Sequence, residues 1–155
     1  MKPILATTAV GLMTAVLAGG ALAGALSPEE QIETRQAGYT FMGWNMGKIK
    51  ANLQGDYNAE QVKAAADTIA AIANSGMGAL YGPGTDKDIG DVKTRVKPEL
   101  FENMQDVGKL AGDFTKAADN LAEVAAGGDE SAVKAAFGDL GQACKACHKK
   151  YRADD

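Results

Sequence analysis

The sequence is poor in the residues that most often build metal sites and disulfide frameworks. It has one histidine and two cysteines in 155 residues, and aromatic residues make up only 6 % of the chain. A zinc enzyme with several histidine ligands and a small disulfide-stapled domain are therefore excluded. Basic residues are not in excess, since 16 Lys and Arg face 20 Asp and Glu. This balance argues against a nucleic-acid-binding protein, while the length fits a single domain with a hydrophobic core.

Charged residues are also absent from a long segment near the start of the chain. None occurs between Lys2 and Glu29, and the apolar middle of this segment is followed by Ala21-Leu22-Ala23. A basic start, an apolar middle and small residues before the cleavage point are typical of a secretory signal peptide. We expect residues 1–23 to be removed on export and residues 24–155 to form the mature domain, without membrane attachment after cleavage. A retained membrane anchor is the alternative.

The rest of the sequence lacks the alternation of a β-strand, and its apolar residues recur every three or four positions, which predicts helices. Ser27, Pro28 and Glu30 have the pattern of a capping box that opens a first helix, and Gly55 is expected to end it. Asn58 is expected to cap the second helix.

Two further helices are predicted in the second half of the chain. The third is expected to begin at Pro98 and to end at Gly127, and the fourth is expected to be capped by Asp129. Between the second and third helices, residues 74–97 contain five glycines and Pro83, which predicts a long ordered crossover loop. Four amphipathic helices predict an all-α, antiparallel four-helix bundle.

Both cysteines and the only histidine fall in one short motif of the fourth helix, Cys144-Lys145-Ala146-Cys147-His148. A C-x-x-C-H motif is the attachment signature of c-type haem. Each thiol forms a thioether with one vinyl group, and the following imidazole reaches the iron. Both cysteines lie on the apolar stripe of this helix, so one covalent haem c is expected in the bundle core. Because bacterial haem c is attached outside the cytoplasm, we expect the protein in the periplasm.

A redox dithiol pair and a structural zinc site are the alternative uses of these cysteines. A redox dithiol pair usually stands at the start of a helix, where the helix dipole lowers a thiol pKa, whereas this pair is near the end of the chain. A structural zinc site would need a fourth ligand beyond two cysteines and one histidine.

Four predicted helices with C-x-x-C-H beside the C-terminus resemble cytochrome c′, the class II cytochromes c. The similar stretches are Arg35-Gln36-Ala37-Gly38-Tyr39, Tyr81-Gly82-Pro83-Gly84-Thr85, Ala136-Phe137-Gly138-Asp139 and the segment from Cys144 to Arg152. The resemblance spans essentially all of residues 24–155. It implies a five-coordinate, largely high-spin haem that binds NO and CO, no known catalysed reaction, and a homodimer in many members.

The resemblance also implies roles for single residues. Cys144 and Cys147 would anchor the haem, and His148 would be the axial ligand of the iron. Contacts with the haem propionates are implied for Arg35 and Gln36, and another haem contact for Asp91. Arg152, four residues after His148, matches a basic residue close to the axial imidazole of the haem site.

Arg35 can also be argued from its position. It lies between Ile32 and Tyr39 on the inward stripe of the first helix, where a guanidinium needs a partner. A haem propionate is a natural bidentate partner. The alternative is an arginine whose head group reaches solvent.

Tyr39 is the candidate residue for the distal side of the iron. Low-spin relatives in this class place methionine four residues after the arginine of the first helix, and here that position is Tyr39. Met42 and Met46 are expected to fill the core. We therefore expect an open distal position with Tyr39 as a steric gate. Ligation by its phenolate is disfavoured, because no neighbouring cation is evident in the sequence to lower its pKa.

Two functions remain open after this reasoning. The first is a gas-binding haem protein whose iron is redox-active. The second is a low-spin-type electron-transfer cytochrome in a periplasmic respiratory or photosynthetic chain. An enzyme such as a peroxidase would need a distal acid–base group, and there is no second histidine, so no enzyme activity is expected.

Two surfaces are candidates for partners. Ala37, Phe41 and Trp44 form a stripe opposite Tyr39, which predicts a homodimer through the first helix or, alternatively, packing against the crossover loop. The last turns of the fourth helix are basic, which suits the helix dipole or a docking site for an acidic redox partner; the residues are Lys145, Lys149, Lys150 and Arg152.

Overall fold

The structure is a computed structural model that describes residues 26–154, so the expected signal peptide lies outside the described residues. The expected all-α four-helix bundle is confirmed. In chain order the elements are α1 (Pro28–Gln54), α2 (Ala59–Ala73), a 3₁₀ helix (Met77–Leu80), α3 (Glu99–Glu102), α4 (Met104–Ala126) and α5 (Glu130–Tyr151). The four long helices of the bundle are α1, α2, α4 and α5.

The predicted helix caps explain where three of the long helices begin. Ser27 Oγ accepts a hydrogen bond from the Glu30 amide at 3.3 Å, and the Glu30 carboxylate accepts one from the Ser27 amide at 2.8 Å. The side chains of Asn58 and Asp129 each accept from the amide three residues further on. These bonds satisfy amides that a helix start otherwise leaves without partners.

The expectation of one continuous third helix from Pro98 is wrong. A single turn, α3, ends at Glu102, and α4 begins at Met104. The residue between them, Asn103, has φ −124° and ψ 39°, outside the helical region. Its side-chain amide donates to the Glu99 carbonyl at 2.8 Å. Asparagine side chains compete in this way with helical backbone bonds, which accounts for the break.

The hydrophobic core joins the second half of α1, all of α2, the second half of α4 and the first half of α5. Its fully buried members include Ile49, Ile69, Leu121 and Leu140. Met42 is buried in this cluster and Met46 packs against it, as expected for core methionines. Alanines at several core positions let the helices approach closely.

The bundle is closed on three sides and open on the fourth. α1 packs on α2, α2 on α4 and α4 on α5, whereas α1 and α5 contact each other little. On the open side, the apolar stripe of α1 continues to Tyr39, which is 40 % exposed, and the stripe of α4 begins at Met104, which is 52 % exposed. The hydrophobic core therefore leaves these two side chains partly exposed.

The aromatic stripe on α1 faces solvent. Phe41 and Trp44 are 50 % and 57 % exposed and stack with ring centres 5.4 Å apart, and Lys48 lies over the Trp44 ring. The alternative that this stripe packs against the crossover loop is therefore wrong. Within residues 26–154, no helix combines the length and hydropathy needed to cross a bilayer.

Candidate functional site

The C-x-x-C-H turn, Cys144 to His148, lies in the last two turns of α5. Both cysteines are free and half-buried, and Cys144 packs against the core cluster. His148 is exposed. Cys144 and His148 line one cleft of about 470 Å³, together with Arg95 and Arg152. The three residues predicted from the motif are thus together at the edge of the core.

Both thiols are held in their neutral form. Burial raises the pKa of Cys144, and the nearby Cys147 adds to the shift. Burial also raises the pKa of Cys147, with the Asp106 carboxylate as a second cause. A redox dithiol pair needs a lowered thiol pKa, so these surroundings do not suit that alternative.

His148 is placed to act as a neutral ligand. Burial and then the charge of Arg95 lower the pKa of its imidazole, which favours the form with a free nitrogen lone pair. Arg152, which was expected near this imidazole, lies with Nη1 3.4 Å from His148 Nδ1. Within residues 26–154, His, Cys, Asp and Glu form no group of three or more that could hold a metal ion. The zinc alternative therefore finds no ligand set in this part of the chain.

The end of α5 is fastened by contacts that the sequence did not indicate. Asp106 of α4 accepts a hydrogen bond from the Tyr151 hydroxyl at 2.7 Å and forms an ion pair with Lys150 at 2.9 Å. The backbone after α5 pairs with the segment before α3, because the Ala153 amide donates to the Arg95 carbonyl at 2.8 Å. These contacts hold the C-x-x-C-H turn from two sides.

Tyr39 lies on α1 at the open side of the bundle. Its neighbours are Tyr81, Cys147 and Arg35, since all three contribute to the electrostatics of its hydroxyl. Burial of the hydroxyl, followed by its interaction with Tyr81, raises the pKa of Tyr39 far above its usual value near 10, and Arg35 lowers it by less. A cation is therefore present, contrary to the sequence-based reasoning, but Tyr39 still stays neutral.

Arg35 is almost fully buried, with 2 % of its surface exposed, so the alternative of a solvent-reaching arginine is wrong. Its guanidinium donates to the Leu80 carbonyl at 3.1 Å, the Thr85 carbonyl at 2.6 Å and the Thr94 hydroxyl at 2.7 Å. These three bonds leave Nε and one Nη1 hydrogen for any further acceptor. Arg35 is thus first of all a clamp on the crossover loop.

The crossover loop docks along α1 through several polar contacts. The Gln36 side chain donates to the Lys93 carbonyl, and Gln31 accepts from the Gly82 amide at 2.9 Å. A Cβ added at Gly82 would lie 2.6 Å from Gln31 Oε1, so any side chain there would push the end of the Gln31 side chain away. Asp91 is exposed in a turn closed by backbone bonds between Ile89 and Val92.

The residues of the open side suit a covalently attached prosthetic group. Two neutral thiols stand one helical turn apart, and an imidazole follows them. Helix α1 presents an exposed tyrosine across from α5, and the two helices leave space between them. These features define a helical-bundle protein with residues suited to holding a prosthetic group along one side.

The chain is similar to known proteins over most of its length. The profile of the family described as Cytochrome C' matches residues 30–152. The chain belongs to the cytochrome c′ family, which implies a haem c cofactor.

Individual relatives are similar over most of their length. The cytochrome c′ of Allochromatium vinosum is 74 % identical over 99 % of both chains. A solved cytochrome c′ described as having an unusual ligand-controlled dimer dissociation is 78 % identical and superposes with a TM-score of 0.82, covering 83 % of this chain and 98 % of its own. Cytochrome c′ of Alcaligenes xylosoxidans, about 31 % identical, has been solved as variants with nitric oxide and with carbon monoxide; these structures superpose with a TM-score of 0.72 and cover 83 % of this chain and 98 % of their own.

Proposed function

We propose that this protein is an exported, periplasmic haem c protein that binds NO and CO at a five-coordinate iron. The observation that carries the proposal is the pairing of the C-x-x-C-H turn on α5 with Tyr39, rather than methionine, across the open side of the bundle. A bound haem would supply a redox-active iron with one position free for a diatomic gas.

Cys144 and Cys147 would hold the haem through thioether bonds, and His148 would be the axial ligand. Support comes from the neutral state of both thiols and of the imidazole. Intact mass of the exported protein tests this assignment. One haem should be added to the mature chain, and replacing both cysteines by alanine should abolish the addition. Material without added haem would overturn the assignment.

The remaining haem contacts are proposed with smaller roles. Arg152 would orient His148, which it already approaches. Arg35 could give a propionate only the hydrogens that the loop leaves free, and Gln36 and Asp91 are proposed contacts carried over from the family resemblance.

Tyr39 would be the steric gate on the distal side. Its neutral hydroxyl disfavours phenolate ligation, and the buried positions of Met42 and Met46 in the core disfavour methionine ligation. Replacing Tyr39 by alanine should speed CO and NO association with the ferrous protein, measured by flash photolysis. Unchanged association would exclude a gate at this position.

A low-spin electron-transfer cytochrome is the second candidate function. Exposed Lys145 lies within the C-x-x-C-H turn and exposed Lys149 directly follows it, and both would suit an acidic redox partner. Such a carrier keeps the same iron ligands in both oxidation states, so its reduced form would not respond to CO. No catalysed reaction is proposed, since the distal side offers tyrosine hydroxyls rather than a titrating acid–base group.

A homodimer through α1 is proposed on the exposed stripe of Ala37, Phe41 and Trp44. Large exposed aromatic residues side by side are typical of interfaces. The similar cytochrome c′ with ligand-controlled dimer dissociation supports this assembly.

A further inference from the structure

Tyr39 does not stand alone on the open side of the bundle, because Tyr81 of the crossover loop meets it. The two hydroxyl oxygens are 3.3 Å apart and share a hydrogen bond, although the residues are 42 positions apart in the chain. Burial raises the pKa of Tyr81 as it does that of Tyr39, so each hydroxyl keeps its proton. The bond joins the loop to the helix that bears the gate.

Contacts from α1 help to fix the position of Tyr81. The guanidinium carbon of Arg35 lies 4.7 Å from the centre of the Tyr81 ring, a cation–π contact. The same guanidinium donates to the carbonyls of Leu80 and Thr85, which bracket Tyr81 in the chain. The next residue, Gly82, is hydrogen-bonded to Gln31. The Tyr81 ring is therefore held beneath a buried cation that three hydrogen bonds fix in place.

Arg35 and Tyr39 are four residues apart on α1, so they are neighbours on one helix face. Tyr81 spans them, with its ring against Arg35 and its hydroxyl against Tyr39. We infer that Tyr81 is a positioning residue for the distal gate: held by Arg35, it keeps the Tyr39 ring closed through the bond between the two hydroxyls. The inference rests on the proposed gas-binding function. Gas entry that displaces Tyr39 must break this bond.

The variant Tyr81→Phe tests the inference with little structural change, because it keeps the ring under Arg35 and removes only the hydroxyl. CO association with the ferrous protein should become about two- to tenfold faster, the effect of one net hydrogen bond. Tyr57→Phe is the matched control. The Tyr57 hydroxyl is buried without a hydrogen-bond partner in the described structure, so its loss should leave the rate unchanged.

A double-mutant cycle separates this role from a general loosening of the loop. Tyr39→Phe and Tyr81→Phe should speed association by similar factors, and the double variant by no more than either one. Urea unfolding of the same proteins gives a second readout. Each single variant should lower the folded-to-unfolded ratio by about two- to tenfold, and the double variant should lower it no further. Effects that multiply in both measurements would overturn the inference.

The outcomes also separate this inference from the proposed function. Normal CO binding by the unaltered protein, with the same rate in Tyr81→Phe, would overturn the positioning role alone. A ferrous protein that does not bind CO would overturn the proposed function and, with it, the role of Tyr81 in gas entry.

Discussion

At the scale of single residues, Arg35 links the sequence to the site most directly. A buried guanidinium is costly unless its hydrogen-bond donors are satisfied. Arg35 satisfies three of them on loop atoms that lie 45 to 59 positions away in the chain. Burial lowers the pKa of Arg35, but the guanidinium remains charged at any physiological pH. Its bonds hold the crossover loop against α1.

Replacing Arg35 by lysine should destabilise the protein. An ammonium group cannot bond Leu80, Thr85 and Thr94 from the same position, and a buried charge would lose partners. We expect the free energy of unfolding to fall by about 2–4 kcal/mol, measured by urea denaturation of the holoprotein.

The neighbouring variant Gln36→Ala is the control for this prediction. It removes one exposed bond to the Lys93 carbonyl and should cost less than about 1 kcal/mol. A loss in Arg35→Lys no larger than in Gln36→Ala would show that Arg35 does not clamp the loop.

The sequence predicted the burial of Arg35 but not its partners. Burial followed from its place on the apolar stripe of α1, which is a local pattern. Its partners depend on the path of the glycine-rich loop. The helical spacing of apolar residues does not predict the path of so long a loop. For the same reason Tyr81 was recognised only as part of a family-like stretch, and its contact with Tyr39 was not foreseen.

At the scale of helices and loops, the caps and the C-x-x-C-H motif were predictable because each depends on residues within one or two turns. The break at Asn103 was not, since the flanking apolar residues keep helical spacing through it. The contacts of Asp106 with Tyr151 and Lys150, here called the latch, were missed because they join two helices. The latch is nevertheless one of the contacts that hold the end of α5 with the C-x-x-C-H turn to α4.

This latch should make stability depend on pH at both extremes. The bonds from Lys150 and Tyr151 hold the pKa of Asp106 below its usual 3.8, so its contribution is complete above pH 4 and is lost as pH falls through the lowered value. The bond to Asp106 raises the pKa of Tyr151 to about 12. Its contribution is therefore complete below pH 10 and is lost as pH rises towards 12. Nearby Lys109 also favours the charged carboxylate.

Asp106→Asn should flatten the loss of stability below pH 4, measured as the pH dependence of the melting temperature. Tyr151→Phe should flatten the loss above pH 10. Variants whose melting temperature depends on pH as steeply as that of the unaltered protein would contradict the latch.

The close approach of the loop to α1 gives a second prediction at this scale. Gly82→Ala would push the Gln31 side chain away and lose the bond to the Gly82 amide, at a cost of about 0.5–1.5 kcal/mol in unfolding free energy. Gly78→Ala is the matched control. A Cβ there meets no atom within 4 Å, so thermal stability should be unchanged or slightly higher. Equal losses in the two variants would contradict docking through Gln31.

At the scale of the whole molecule, the gate and the aromatic stripe share one helix. Tyr39 lies on the open side of the bundle, and Phe41 and Trp44 lie on the surface proposed for the homodimer. A displacement of α1 by an incoming gas would therefore reach both places. If the proposed gas site and dimer surface hold, this shared helix would be a physical route between gas binding and assembly.

Trp44→Glu should convert the dimer to a monomer in sedimentation velocity experiments, because a charge would be buried against the apolar stripe. Ala71→Glu places the same charge on an exposed position of α2 and should leave the dimer intact. The unaltered protein should also sediment differently with and without CO. Identical sedimentation in both conditions would contradict coupling through α1.

The most direct test of the central claim is the visible absorption spectrum of the exported protein, recorded ferric and ferrous, before and after CO is added. If the haem is held on α5 and its iron has no ligand on the side of Tyr39, the spectrum should show broad high-spin bands. These bands should change to those of a CO complex in the ferrous state. Sharp low-spin bands that are indifferent to CO would contradict the claim and favour an electron carrier.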